Sequence, residues 1–375
     1  MHTWNPIYVL PNLLIKEPIE NEYVAIVAPD DARCLEIGKR TDKFIPFLSS
    51  FTDAFQHPVK PSVLLTRADA PAWVMSLDAI TSFRDSISIA AVTNSRSLTM
   101  LYSKVQTYQY STFFDFYAWT FSKDFDVLTT NNPSLWGMER FQDFKGQSTP
   151  GLAISQWEAL EVDEILLKAL LGEWRRRFSS TKPTWRSLAL FRSLNMANAA
   201  AQLPGVVDVT PQSLGRSISL WVSAFEILAH PGDRDSGLNE VYRVFDKVGW
   251  LTEACTEEIY NCYERRKPKQ SSRQRNLASW IYGQLYHARN DYLHGNPISD
   301  SRLIVESGRS LFMYTPSLYR LLLTGFLSIE FYGPFNNRNP GQAWYDDRTG
   351  MLRYRFQKMQ RNHENALATI LKPAT

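Results

Sequence analysis

Between residues 286 and 297 the chain carries Arg289, Asn290, Asp291 and His294, followed by Gly295 and Pro297. An arginine and a histidine with no set of metal-binding side chains around them suit one reaction in particular. RNA brings its own nucleophile, the ribose 2′-hydroxyl. An imidazole that titrates near neutral pH can take that proton, or protonate the departing 5′-oxygen. A guanidinium can hold the scissile phosphate through two hydrogen bonds and stabilise the added charge of a pentavalent transition state. The products would be a 2′,3′-cyclic phosphate and a 5′-hydroxyl, without a divalent ion, and DNA would not be cut. A histidine at a helix end also has a simpler use, as a cap on the last carbonyls.

The residues before the cluster set how it is presented. Leu277, Ile281, Leu285, Ala288 and Tyr292 recur at steps of three and four, which predicts an amphipathic helix over 276–294. Gly295 stands where a left-handed terminating residue is usual, and Pro297 prevents continuation. At about 100° per residue, Asn290 and His294 share a face away from the apolar stripe, with His287 on the His294 side. Arg289 falls roughly 140° from His294. Acting together therefore requires the reach of the arginine, an unwound last turn, or a second helix alongside.

Arg289, Asn290 and His294, with the glycine that follows, match the Arg-Asn-x-x-x-His form of the signature of HEPN domains. The stretch from Gln156 to Gly333 resembles the Apea-like branch of that superfamily. Its helix ending in Ala224-Phe225-Glu226-Ile227-Leu228 is similar to the one that packs behind the motif helix there. The resemblance implies a metal-independent endoribonuclease that needs no cofactor and dimerises so that two motif helices share one cleft. It assigns Arg289 as phosphate clamp, His294 as acid–base and Asn290 as the group that orients imidazole or phosphate. It implies a toxin or antiviral defence effector, held off by an antitoxin or until a trigger protein acts. The alternative is a non-catalytic HEPN-like module that binds RNA or a protein. Three residues stand as supporting candidates. Glu226 reads as a buried polar partner or a catalyst, His287 lies outside the motif, and Asp291 is expected to pair with an arginine such as Arg289.

Composition bounds the rest. The chain has 375 residues, 44% hydrophobic and 13% aromatic, with a formal net charge of +3, so it is globular and long enough for two domains. Residues 1–150 hold 13 Lys and Arg against 16 Asp and Glu, and the remainder 28 against 22, so the basic character accompanies the motif. That leans toward an anionic partner such as RNA. The run Arg265, Arg266, Lys267, Lys269, Arg273 and Arg275 leads into the motif helix and offers backbone contacts, or a solvated loop; Arg175, Arg176, Arg177 and Lys182 form a second run. Arg348, Arg353, Arg355, Lys358 and Arg361 alternate with Tyr345, Tyr354 and Phe356, which stack on bases or cover the core. Three scattered cysteines, Cys34, Cys255 and Cys262, suggest reduced thiols rather than a disulfide framework or a metal site. The start shows no secretory signal and no segment suits a bilayer, so a cytoplasmic protein without a membrane partner is expected.

The expected fold is an α+β, two-domain arrangement. A mixed α/β domain over 1–150, regulatory or sensing, precedes an all-α HEPN-like helical bundle over 151–333 and a partly helical extension over 334–375. Strands are predicted at 23–27, 62–66, 86–92 and 99–102, with a helix over 72–83. The aromatic run 108–121 reads as core, and 143–152 as the boundary. Beyond it the pattern predicts helices over 155–178, capped by Ser155, then 185–201 capped by Thr184, 216–230, 238–248, 252–264, 276–294, 311–331 and 357–371, with a polar loop over 265–275.

Overall fold

The computed structural model describes residues 2–10, 17–53, 58, 60–102, 120–121, 128–129, 148–149, 162–201, 211–233, 237–264, 271–297, 300–305, 308–329 and 348–372. It mixes helices with a small antiparallel sheet near the N-terminus. The chain divides into two compact units, Met1–Ile80 with Thr112–Leu160, and Thr81–Ser111 with Glu161–Thr375.

The first unit is built on strands β1 (Trp4–Leu10), β2 (Ile19–Glu20) and β3 (Val24–Val27), helices α1 (Ala32–Arg40) and α2 (Phe44–Leu48), and strands β4 (Thr52–Asp53) and β5 (Ser62–Arg67). Four of the strands form an antiparallel sheet in the order β1-β5-β3-β2. Val24–Val27 and Ser62–Thr66 are buried on both faces, which is why these runs read as unbroken apolar stretches. Pro6 is tolerated because β1 is an edge strand whose register slips between Pro6 and Tyr8. Asp31 caps α1 by accepting from the Arg33 N–H at 2.9 Å, and α1 and α2 bury Cys34, Ile37, Phe44, Phe47 and Leu48 against Val9, Val27, Val63 and Leu65. The helix α3 (Leu77–Tyr102) follows, and then the short strands β6 (Thr120–Phe121), β7 (Leu128–Thr129) and β8 (Ser148–Thr149); β6 pairs with β7, and β4 with β8.

From Thr81 onward α3 belongs to the second unit. The others there are α4 (Glu164–Ser179), α5 (Trp185–Ala201), α6 (Pro211–Ala229), α7 (Leu238–Phe245), α8 (Glu253–Thr256), strands β9 (Tyr260–Glu264) and β10 (Ser271–Arg275), α9 (Leu277–Leu293), α10 (Asp300–Leu303), α11 (Thr315–Phe326) and α12 (Arg348–Ala368). A core of rings holds the centre: Phe225 of α6 lies 5.2 Å from Tyr282 of α9 and 5.5 Å from Tyr319 of α11, centroid to centroid. A buried polar chain ties four elements together. Arg320 of α11 donates to Asp163 at 2.6 Å and to Gln360 of α12; Gln360 donates to Glu364 at 2.9 Å, and Glu364 accepts from the Thr252 N–H at 2.7 Å. Asp163 itself caps α4 through the Leu166 N–H at 3.1 Å.

Several sequence expectations are corrected. The runs 86–92 and 99–102 are not strands but the interior and end of α3. Their β-branched character reflects a helix buried nearly all round, every residue from Phe83 to Asn94 being buried, and periodicity cannot separate that from a buried strand. Asp85 explains the placement of this helix: Asn198 of α5 donates to it at 2.9 Å and Arg84 at 2.8 Å, while Phe83 meets Trp174 of α4 edge-on at 5.4 Å. The second unit is not all-α, because 260–264 and 271–275 pair as an antiparallel hairpin where a helix and a loop were expected. Tyr260, Cys262 and Glu264 alternate inward at period two, a strand signal masked by the polar run that follows. Cys255 and Cys262 consequently do not share a helix. Residues 348–372 are part of the helical unit, not an extension, and Phe356 covers its core beneath Arg320. The helix predicted over 311–331 is a 3₁₀ turn at Leu311–Tyr314 and then α11. The helix over 185–201 matches, with Thr184 accepting from the Ser187 N–H at 3.3 Å, whereas α6 begins five residues earlier than expected, at Pro211. The aromatic run 108–119, the boundary 143–152 and the Ser155 cap lie outside the described residues, apart from the β8 pair.

Candidate functional site

Helix α9 carries the motif, and both its ends are set by local hydrogen bonding. Asn276 accepts from the Ser279 N–H at 3.0 Å and starts the helix. At the other end the Gly295 N–H reaches the Tyr292 carbonyl at 3.3 Å and the Asn296 N–H reaches the Asp291 carbonyl at 2.9 Å. This is a Schellman closure, which needs a left-handed residue, and Gly295 supplies it with φ of +69°. His294 is thereby fixed as the C-cap, with its N–H on the Asn290 carbonyl at 3.0 Å and its ring on the surface. The apolar stripe Leu277, Ile281, Leu285 and Ala288 is buried as the spacing predicts.

Helix α6 lies along α9 with its start near the end of α9. Gly215 is where they come closest: a Cβ there would stand 2.2 Å from the Tyr292 ring. This packing brings Glu226 to Arg289. The Arg289 Nη2 donates to the Glu226 Oε1 at 2.7 Å, with side chains 17% and 21% exposed, and the guanidinium lies 5.0 Å from the centroid of Tyr286. Tyr286 is three residues back toward the helix start, the direction in which helical side chains lean. His294 is five residues further on, about 7.5 Å along the axis at the usual rise. The structure thus joins Arg289 to Glu226 and leaves it apart from His294. Burial raises the Glu226 pKa, and Arg289 beside it opposes that rise. Two buried donors close by, the Arg289 Nε and the Tyr282 hydroxyl, have no hydrogen-bond partner among the described residues.

The other candidates fall on different sides. Asn290 is half-buried. Asp291 does not pair with Arg289; it accepts from the Arg302 Nε at 3.1 Å and from the Asn296 amide at 3.3 Å, because α10 folds back beside the helix end. His287 packs edge-on against Tyr263 of β9 at 5.7 Å, and burial first, then the charge of Arg302, lowers its pKa. Arg275 is withdrawn from any nucleic-acid surface: it is buried between Glu264 at 2.7 Å and Asp246 at 2.9 Å, over Tyr242. Arg273 is exposed on β10, while Arg265, Arg266, Lys267 and Lys269 lie outside the described residues. Arg176 pairs with Glu173 at 2.6 Å, and Arg355 with Glu164 at 3.0 Å. Tyr286, Tyr282 and Arg302 are the neighbours that sequence reading passed over. Tyr286 could have been found from its i, i+3 spacing to Arg289; Arg302 could not, since a turn of unknown course separates it from Asp291.

No group of three or more His, Cys, Asp or Glu side chains with metal-binding geometry occurs among the described residues. The three cysteines are buried, which pushes the Cys34 and Cys255 thiols up to about 12 and Cys262 to about 11, so none is a ready nucleophile. Among the described residues no helix is long and apolar enough to cross a membrane. No protein-family model, curated protein or solved structure matches the chain.

Proposed function

We propose that the helical unit is a metal-independent endoribonuclease of HEPN type, with Arg289 as phosphate clamp and His294 as proton carrier, in a cytoplasmic toxin or antiviral effector. The observation that carries this reading is the end of α9, where a Schellman closure holds an exposed imidazole five residues beyond a motif arginine. In the reaction the 2′-oxygen attacks phosphorus and its proton passes to an imidazole. The bond from phosphorus to the 5′-oxygen breaks, and that oxygen takes a proton from an imidazolium. Asn290, on the His294 face, orients one of these groups. A second copy of the chain supplies the complementary half, since Arg289 of one copy can meet His294 of the other where one chain keeps them apart.

One observation favours a non-catalytic binding module instead: Arg289 is already ion-paired, and a helix-capping histidine needs no catalytic role. The two readings separate on an RNA substrate and its all-2′-deoxy counterpart. The nuclease cuts the first and spares the second, and Arg289→Ala or His294→Ala abolishes cutting. A binding module cuts neither, and its affinity is indifferent to His294→Ala.

A further inference from the structure

We propose that Glu226 is a latch on this site: its carboxylate occupies the edge of the Arg289 guanidinium that an RNA phosphate engages during cleavage. The inference rests on the endoribonuclease reading for the identity of the anion, and on the packing of α6 against α9 for the rest. Carboxylate and phosphate compete for a guanidinium through the same forked geometry. Here the carboxylate makes a contact of 2.7 Å to Nη2, while Nε, the other donor on that side of the fork, is buried without an acceptor among the described residues. Tyr282, two turns back on the same face of α9, is fully buried and its hydroxyl also lacks a partner among the described residues. Burial first, and then the charge of Glu226, hold its pKa well above the usual value, with the Arg289 charge opposing. A contact that leaves two buried donors idle is incompletely satisfied. A phosphate diester, offering two free oxygens to the fork, is the better ligand once it reaches the site.

The direction of the arginine gives the latch its consequence. Held by Glu226 over Tyr286, the guanidinium lies back along α9, away from the C-cap where His294 stands. While the pair is closed, the guanidinium is held by a carboxylate and is not free to clamp a phosphate, whichever copy supplies the imidazole. Side chains still about one-fifth exposed leave the pair an edge through which an anion can enter. Glu226 is therefore a positioning residue that acts through Arg289, and its removal should raise binding and rate rather than lower them.

The test uses the full chain and a short 2′-O-methyl RNA, which binds but cannot be cut. Glu226→Gln should bind it on the order of tenfold tighter than the wild type, the scale of one charge-assisted contact. The gain should vanish when Arg289→Ala is added. On cleavable RNA, Glu226→Gln should lower KM and raise the single-turnover rate. Should Glu226→Gln fail to fold, Glu226→Asp draws the carboxylate back by one methylene while keeping its charge, and carries the same expectation. Binding that is no tighter in the folded variant overturns the latch, as does a gain that persists without Arg289. Tighter binding with no cleavage by any variant keeps the latch and removes the nuclease. Cleavage by the wild type with no gain in either variant does the reverse.

Discussion

An arginine half-hidden on an amphipathic helix requires a counter-charge, and the chain supplies Glu226 from 63 residues earlier. The motif residues were legible because their relation is local: a helix period, a glycine and a proline fix Arg289 and His294 on α9 whatever surrounds them. The partners were not, because the pairing of Arg289 with Glu226 and of Asp291 with Arg302 depends on how separate helices lie against one another. The same is true of His363, which no spacing singled out. It is fully buried on α12, with neither ring nitrogen partnered among the described residues. Burial first, and the charge of Arg320 second, hold its pKa well below the usual value. An unfolded imidazole takes up a proton near pH 6.5 and the folded one does not. Its contribution is therefore complete above about pH 6.5 and is lost as pH falls toward the lowered pKa, at about 1.4 kcal/mol per pH unit. Thermal midpoints between pH 7.5 and 5 should fall less steeply in His363→Phe than in the wild type; equal slopes would show that other groups govern the acid limb. Asp163→Ala should cost on the order of 3–5 kcal/mol in denaturant unfolding, since it strands Arg320, which is 0% exposed.

At the scale of elements, the helices whose starts carry a side-chain cap visible in the sequence, α5 after Thr184 and α9 after Asn276, matched their expected spans. Two elements, α3 and β9, were misread. Helix α3 reads as strands because its polar residues, Asp85 among them, are buried with its apolar ones and leave no solvent-facing side to mark a helical period, and β9 reads as helix because only Tyr260, Cys262 and Glu264 alternate inward. The contact of α6 with α9 turns on Gly215, where the Tyr292 ring fills the space a side chain would take. Gly215→Ala improves helix propensity by roughly 1 kcal/mol but drives a methyl into the base of that ring. Its expected net effect is a loss of about 1–3 kcal/mol with the helices forced apart. Adding Tyr292→Ala should recover part of that loss, measurable as a coupling in a double-mutant cycle. Additive costs would mean that the two positions do not meet.

For the whole molecule, composition indicated two parts with unequal charge, and the structure has two compact units, but the division is not a single cut. Part of α3 and all of α12 join the helical unit because buried polar groups tie them in: Asp85 to α5, and Gln360 and Glu364 to α11 and the start of α8. Such ties are invisible in a sequence scanned for linkers, where composition changes near residue 150. Removing residues 348–375 should therefore uncover Arg320, orphan the N–H groups of Leu251 and Thr252, and abolish the cooperative melting of the helical unit. A truncated chain that kept its melting midpoint would make α12 dispensable.

The central claim is that an arginine and a histidine at the end of α9 cut RNA by attack of its own 2′-hydroxyl. Its most direct test is to incubate a mixed RNA pool with the full chain in EDTA and analyse the new 3′ ends. The account predicts 2′,3′-cyclic phosphates with the wild type and none with His294→Ala. Undiminished cyclic-phosphate ends with His294→Ala, or intact RNA with both proteins and with Glu226→Gln, would contradict it.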